Sequence, residues 1–282
     1  MKSIAKVGVI GAGTMGSGIA QACAVAGIGA VMVDVGDAAV EHGMKNIAGS
    51  LERLVKKEKL TALARDRALA RVAGTTDYSE LRDADLIIEA ATENVEIKVK
   101  VLKQVDAIAK SGAVIASNTS SISITALAAV VTHPTHFLGP FFQLRAADGA
   151  GRADSGPADV GCDGRRHKAF AEKLGKTPIV VKNSPGFVVN RLLCPMINEA
   201  IFVFQEGLAS AEDIDNGMKL GCNHPIGPLA LADMIGLDVM LAVMNVFYDD
   251  FNDPKYRPAP LLKEMVAAGR LGRKSGRGFY VY

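Results

Sequence analysis

The sequence predicts an α/β fold in which an N-terminal doubly wound parallel sheet is followed by an all-α C-terminal domain. Three observations carry this. Short apolar runs alternate with helical periodicity through the first two thirds of the chain. A glycine-rich turn joins the first apolar run to a helix. Beyond Asn183-Ser184-Pro185-Gly186 the pattern becomes helix after helix with few strand candidates, which puts a domain boundary near Ser184 and gives domains at residues 1–184 and 185–282.

Taken in order, residues 4–10 read as a buried strand, 14–26 as a helix and 29–34 as a second strand, the first βαβ unit of a Rossmann-like sheet. Residues 38–71 carry helical periodicity with a break near Lys56, Lys57 and Lys59. Residues 86–89, 113–117 and 179–181 read as further buried strands. One stretch, residues 143–166, is made mostly of Ala, Gly, Arg and Asp without strand periodicity, the composition of a loop in the middle of what should be sheet. In the helical part, residues 228–244 present Leu229, Leu231, Met234, Ile235 and Leu237.

A chain of 282 residues, 49% of them hydrophobic, is long enough for one large domain and a smaller one. Its formal charge of +2 is too small to call for a nucleic-acid or membrane-surface partner, and a small-molecule partner fits better. The four cysteines, Cys23, Cys162, Cys194 and Cys222, have no metal-ligand spacing and read as reduced thiols. The N-terminal apolar run leads into a glycine turn rather than a cleavage site, and no run reaches membrane-spanning length, so a cytoplasmic protein without a membrane partner is expected.

Gly11-Ala12-Gly13-Thr14-Met15-Gly16 follows a strand and opens a helix. Glycines there allow a tight turn and close backbone approach to a pyrophosphate, whose charge the helix N-terminus favours. Asp34 closes the second strand, where a carboxylate hydrogen-bonds the adenosine ribose and repels a 2′-phosphate, so NAD is expected over NADP. The segment Glu89-Ala90-Ala91-Thr92-Glu93-Asn94 leaves another strand at its carboxyl end, where such sheets bind ligands. Glu89, Ala91, Glu93 and Lys98 are therefore candidate cofactor residues, beside the plainer reading in which Thr92 caps the helix running through Lys98.

Asn118-Thr119-Ser120-Ser121, then Ser184-Pro185-Gly186-Phe187-Val188-Val189-Asn190-Arg191, then Asn223-His224-Pro225-Ile226-Gly227-Pro228 and the tail Gly272-Arg273-Lys274-Ser275-Gly276-Arg277-Gly278-Phe279-Tyr280 occur in this order. Together they resemble the 3-hydroxyacyl-CoA dehydrogenase family, most closely its bacterial short-chain 3-hydroxybutyryl-CoA members. The resemblance implies oxidation of the 3-hydroxyl of a CoA thioester, with hydride passing from C3 to NAD and a histidine, oriented by a glutamate, taking the hydroxyl proton. It implies that Ser120 and Asn190 hold the reacting oxygen, and it places Asn118 with the cofactor. Without it, Ser120 would be a turn hydroxyl and Asn190 a helix-start amide. Lys56 and Lys57, with Lys59, stand where the family carries basic residues near the CoA phosphate, and read equally well as a solvated helix face. His224 reads as structural, and neither His133 nor His136 is taken for the base. The resemblance also makes the helical domain the substrate-binding and dimerisation domain of a homodimer. A related class acting on free 3-hydroxy acids is weighed against by the Asn-Thr-Ser-Ser and Ser-Pro-Gly-Phe motifs.

The family writes its base in a G-M-H-F-F-N-P stretch followed by M-x-L-V-E. Here the chain reads Gly139-Pro140-Phe141-Phe142-Gln143-Leu144-Arg145, and the histidine is absent. A reading-frame change accounts for this. Each pair of adjacent residues restricts the codon formed from the last two bases of one and the first base of the next. Pro140 (CCN) and Phe141 (TTY) give CNT, which includes His; the following junctions allow Phe, Phe and, across Gln143 and Leu144, only Asn or Ser. From the junction of Arg145 and Ala146 to that of Asp163 and Gly164, the shifted frame allows V-P-P-M-A-L-V-E-L-I-R-G-L-Q-T-S-D-A-T. The family's proline after the Asn is not recovered. In this reading the base falls across Pro140 and Phe141 and its glutamate across Arg152 and Ala153. If the residues are real as written, the chain is instead a catalytically impaired NAD-binding paralogue.

Overall fold

A computed structural model describes residues 4–92, 94–119, 122–138, 150–155, 163–182 and 184–282. The chain divides into two compact units, Met1–Asn183 and Ser184–Tyr282.

In the first unit, β1 (Lys6–Ile10), α1 (Thr14–Val25), β2 (Gly29–Val33), α2 (Asp37–Lys56), α3 (Ala62–Leu69), β3 (Val72–Thr75), β4 (Leu86–Glu89), α4 (Val95–Asp106), β5 (Val114–Ser117), α5 (Ile124–Ala128) and β6 (Phe137–Leu138) follow in turn. The six strands form one parallel sheet in the order β3-β2-β1-β4-β5-β6. This is the Rossmann-like order, with the reversal between β1 and β4, where such sheets bind ligands at the carboxyl ends of the strands. The central strands are apolar on both faces because both are covered: Val7, Val9, Leu86, Ile87, Ile88 and Val114 are all buried. On α2 the buried residues Val40, Gly43, Ile47 and Leu51 recur at helical spacing and make one inward stripe.

Two differences from the sequence reading stand out in this unit. Residues 72–75 form the edge strand β3, which had no strand signal because only Val72 of the four is buried. The stretch read as loop contains β7 (Ala150–Ser155) and the start of α6 (Asp163–Lys173), and β8 (Thr177–Lys182) pairs in parallel with β7 in a separate two-stranded sheet. Residues 179–181 are therefore strand, but partnered by β7 rather than by the main sheet. The Ala-Gly-Arg-Ala-Asp-Ser sequence of β7 is poor in the β-branched and aromatic residues that favour strands, so its pairing is carried by the backbone.

The second unit is helical: α7 (Val189–Gln205), α8 (Ala211–Gly221), α9 (Pro228–Ile235), α10 (Leu237–Phe251) and α11 (Pro260–Ala267). Its core gathers Ile197, Ile201, Leu229, Leu237, Met240, Met244, Phe247 and Leu262. Ser210 caps α8 by accepting from the Asp213 amide at 3.1 Å, and Pro228 opens α9 at the position where a missing N–H costs nothing. No single helix among the described residues is long and apolar enough to cross a membrane.

Candidate functional site

The glycine turn lies at the carboxyl end of β1. Gly11 has φ +103°, which L side chains rarely adopt, and a Cβ on it would meet the Ala90 carbonyl oxygen at 2.6 Å. A Cβ on Gly16 would lie 1.7 Å from the Gly11 carbonyl oxygen, so the third glycine lets α1 start directly against the turn. Gly13 is the opposite case: nothing lies within 4 Å of its would-be Cβ. It is exposed with Thr14, Met15 is half-buried, and no side chain caps α1. The first amides of the helix therefore face open space, the arrangement that binds a phosphate.

Asp34, half-buried just after β2, turns back onto this loop. Its Oδ2 accepts from the Ala12 amide at 2.6 Å and its Oδ1 from its own neighbour Val35 at 2.7 Å.

On the other side of the reversal, β4 and β5 end in Glu89 and Ser117, both fully buried with Lys98 of α4. The Lys98 ammonium donates to Glu89 Oε2 at 2.5 Å, the Ser117 hydroxyl donates to the same oxygen at 2.7 Å, and the Ala91 amide donates to Glu89 Oε1 at 2.8 Å. Glu89 and Lys98 are thus inside the protein, while Ala91 is exposed. The cap of α4 is Asn94, which accepts from the Ile97 amide at 3.0 Å; Thr92, read as the cap, instead accepts from the Asn94 amide at 3.1 Å. Asn118 is tied by its amide to the Glu89 carbonyl at 2.7 Å, yet its side-chain oxygen is buried without a hydrogen-bond partner among the described residues. A buried acceptor left unmade is costly and marks a place where a donor belongs. Glu93 and Ser120 lie outside the described residues.

Lys56 ends α2 and Lys57 is its C-cap; both are exposed, as is Lys59, and cations there also complement the helix dipole. Beside them runs a cavity of about 790 Å³ that sequence reasoning missed. Lys45, Ser50 and Arg53 of α2 line it together with Lys173 and Lys176, against Thr14 and Met15 of α1. Four cations on one groove suit a polyanion.

His133 and His136 precede β6, whose Phe137 pairs with Ile115, so they sit at the amino ends of the strands, away from the glycine turn. In the second unit Asn190 is buried in the first turn of α7, where no side-chain cap is made. The next residue, Arg191, has its guanidinium 3.7 Å from the ring centre of Phe251 and 4.6 Å from that of Tyr256. His224 stands in the turn after α8, its amide donating to the Met218 carbonyl at 3.3 Å.

Two family models match the chain: 3-hydroxyacyl-CoA dehydrogenase, NAD binding domain, over residues 6–145, and 3-hydroxyacyl-CoA dehydrogenase, C-terminal domain, over residues 186–282. A 3-hydroxybutyryl-CoA dehydrogenase of Bradyrhizobium diazoefficiens is 45% identical, the alignment covering 99% of this chain and 96% of that one. A probable 3-hydroxybutyryl-CoA dehydrogenase of Deinococcus radiodurans is 47% identical over 98% of this chain and all of its own length. The crystal structure of (S)-3-hydroxybutyryl-CoA dehydrogenase from Ralstonia eutropha is similar with a TM-score of 0.96 and 61% identity, covering 99% of each chain.

Proposed function

Given that the chain belongs to the 3-hydroxyacyl-CoA dehydrogenase family, we propose that it transfers a hydride between NAD and C3 of a short-chain L-3-hydroxyacyl-CoA, the pair being 3-hydroxybutyryl-CoA and acetoacetyl-CoA. It is an NAD-dependent oxidoreductase by family. The observation that carries the site is the glycine turn with Asp34 bonded to its Ala12 amide, across the sheet reversal from the unpartnered Asn118 oxygen. These residues fit NAD: open amides for the pyrophosphate, a carboxylate for the adenosine ribose, and a buried acceptor beside the other half of the crevice.

Bound NAD supplies the hydride acceptor. The chain's own part is to bind, orient and deprotonate. Gly11, Gly13, Thr14, Met15 and Gly16 cradle the pyrophosphate and Asp34 selects the ribose without a 2′-phosphate. Ala91, Glu93 and Asn118 frame the nicotinamide half, with Glu89 and Lys98 beneath them. Ser120 and Asn190 hold the substrate's reacting oxygen as neutral donors. Lys56 and Lys57, with Lys45, Arg53, Lys173 and Lys176 of the neighbouring groove, meet the CoA phosphates. Residues 1–184 bind the cofactor; residues 185–282 bind substrate and dimerise. Leu192, Leu208 and Leu220 in the helical unit are 69%, 75% and 86% exposed, and a second copy would cover them. The protein works in the cytoplasm.

The base is a histidine carried by the shifted frame across Pro140 and Phe141. Two observations support this reading. The family match to the first domain stops at residue 145, and residues 150–155, a strand written in poor strand formers, coincide with the shifted-frame run L-V-E-L-I. Acetoacetyl-CoA-dependent oxidation of NADH by the purified protein tests the function. A second reading, an NAD-binding protein without its base, is favoured by the written residues, and it expects tight NADH binding with turnover lower by orders of magnitude.

A further inference from the structure

Glu89, Lys98 and Ser117 come from β4, α4 and β5, and their side chains meet where none is more than 1% exposed. One carboxylate takes three donors: the Lys98 ammonium, the Ser117 hydroxyl and the Ala91 amide. Lys98 also approaches the Ser117 hydroxyl at 3.4 Å. Burying an ammonium and a carboxylate costs more than burying apolar groups of the same volume, and packing alone would be served as well without them. What the pair adds is direction, because charged hydrogen bonds fix relative positions more narrowly than apolar contact does.

We propose that Glu89 and Ser117 are positioning residues for the nicotinamide half of the cofactor, acting through the two loops that leave β4 and β5. This rests on the NAD reading above. Through Oε1, Glu89 holds Ala91, the first exposed residue of one loop; through Oε2 it holds Ser117, directly before Asn118 and its unpartnered oxygen. Its backbone carbonyl holds the Asn118 amide as well, so both loops are fixed from one residue. Pyrophosphate and adenosine belong to the loops after β1 and β2. The cluster lies under the opposite half of the crevice, which the nicotinamide must occupy.

The test compares NADH with ADP, which carries the adenosine half alone, by calorimetric titration of the full chain, with thermal midpoints recorded. Ser117→Ala removes one hydroxyl donor. The double variant Glu89→Leu with Lys98→Leu removes the pair without stranding a buried charge. The proposal expects both variants to stay folded and to bind ADP as wild type does, with NADH weakened about tenfold or more, the scale of a charge-assisted hydrogen bond. A merely structural cluster would lower the thermal midpoint and leave the ratio of the two affinities unchanged, and that result overturns the proposal. Failure of the wild type to bind NADH at all would instead overturn the cofactor reading, and this inference with it.

Discussion

Asp34 Oδ2 lies 2.6 Å from the Ala12 amide, so the residue that ends the second strand is also a strut of the glycine turn. The same carboxylate meets the adenosine ribose in the proposed function, and its charge excludes a 2′-phosphate. Asp34→Asn keeps an acceptor for Ala12 but drops the charge. NADH should bind roughly tenfold more weakly, as expected when a charged hydrogen bond becomes a neutral one, while NADPH binds more tightly than to wild type. Fluorescence titration with both nucleotides checks this, and an unchanged preference would remove Asp34 from the ribose site.

Gly13 and Gly16 separate affinity from stability within one turn. A Cβ on Gly16 runs into the Gly11 carbonyl oxygen, whereas a Cβ on Gly13 enters open space. Gly16→Ala should therefore unfold at a clearly lower temperature. Gly13→Ala should keep the wild-type midpoint and lose NADH affinity, because the added methyl occupies the approach of the pyrophosphate. Thermal melts and titrations of the two variants side by side are sufficient; a stable Gly13→Ala protein with normal affinity would count against a phosphate site there.

The C-terminal tail is held by Asp233, which is 1% exposed and accepts from the amides of Phe279 and Tyr280, both at 3.0 Å, and from the Tyr282 hydroxyl at 3.2 Å. A Cβ on Gly278 would overlap the same carboxylate. Asp233→Leu strands two amides and should cost about 2–4 kcal/mol of stability, the sum of lost charged hydrogen bonds and unmet donors. Urea unfolding measures it, and a loss below 1 kcal/mol would mean that the tail holds by its aromatic packing alone.

Much of the fold was legible because its signals are local. The strand, glycine turn, helix, strand and acid of the first βαβ unit lie in one unbroken stretch. The pieces that were missed depend on distance. Lys45 and Arg53 come together with Lys173 and Lys176 only once α1 and α2 are packed against the end of α6 and the turn after it. Glu89 and Ser117 read as separate strand ends until the parallel pairing of β4 and β5 sets them opposite each other. β3 was invisible because only one of its four residues, Val72, is a buried apolar side chain. Thr92 reads as the cap of α4 as readily as Asn94, which takes that place, because both side chains can accept from an amide two or three residues on, and sequence does not say which turn comes first.

Asp85 sits before β4 and pins the start of β1. Its Oδ2 accepts from the amides of Ala5 and Lys6 at 2.8 and 3.0 Å, and its Oδ1 from Lys110 at 2.8 Å. Partial burial pushes its pKa up, but the Lys110 bond and the two amides outweigh that, and the carboxyl titrates below the usual aspartate range. A folded pKa below the unfolded value of about 3.9 gives stability that is present above that pH and is lost as pH falls through the folded pKa. Asp85→Asn should cost roughly 1–2 kcal/mol near neutrality. The gap to wild type should begin to shrink as the pH falls below about 4 and close only below the depressed folded pKa, and urea melts at several pH values will show whether it does.

The segment joining β6 to α6 decides between the two functional readings, and it can be read directly. The junctions from Arg145 onward allow a specific alternative peptide, and its strand portion falls on β7, where the written residues give the backbone no reason to pair. The family match to the NAD-binding domain also ends at residue 145 and resumes with the C-terminal domain at residue 186. Intact mass and a peptide map of the protein made from its own gene should therefore return peptides containing A-L-V-E-L-I-R, together with a histidine in place of the Pro140-Phe141 junction. Such a protein turns over acetoacetyl-CoA. If the map returns Ala146-Ala147-Asp148-Gly149-Ala150-Gly151-Arg152 instead, the chain keeps its glycine turn and Asp34 but has neither base nor orienting carboxylate, and NADH binding without turnover is the outcome to expect.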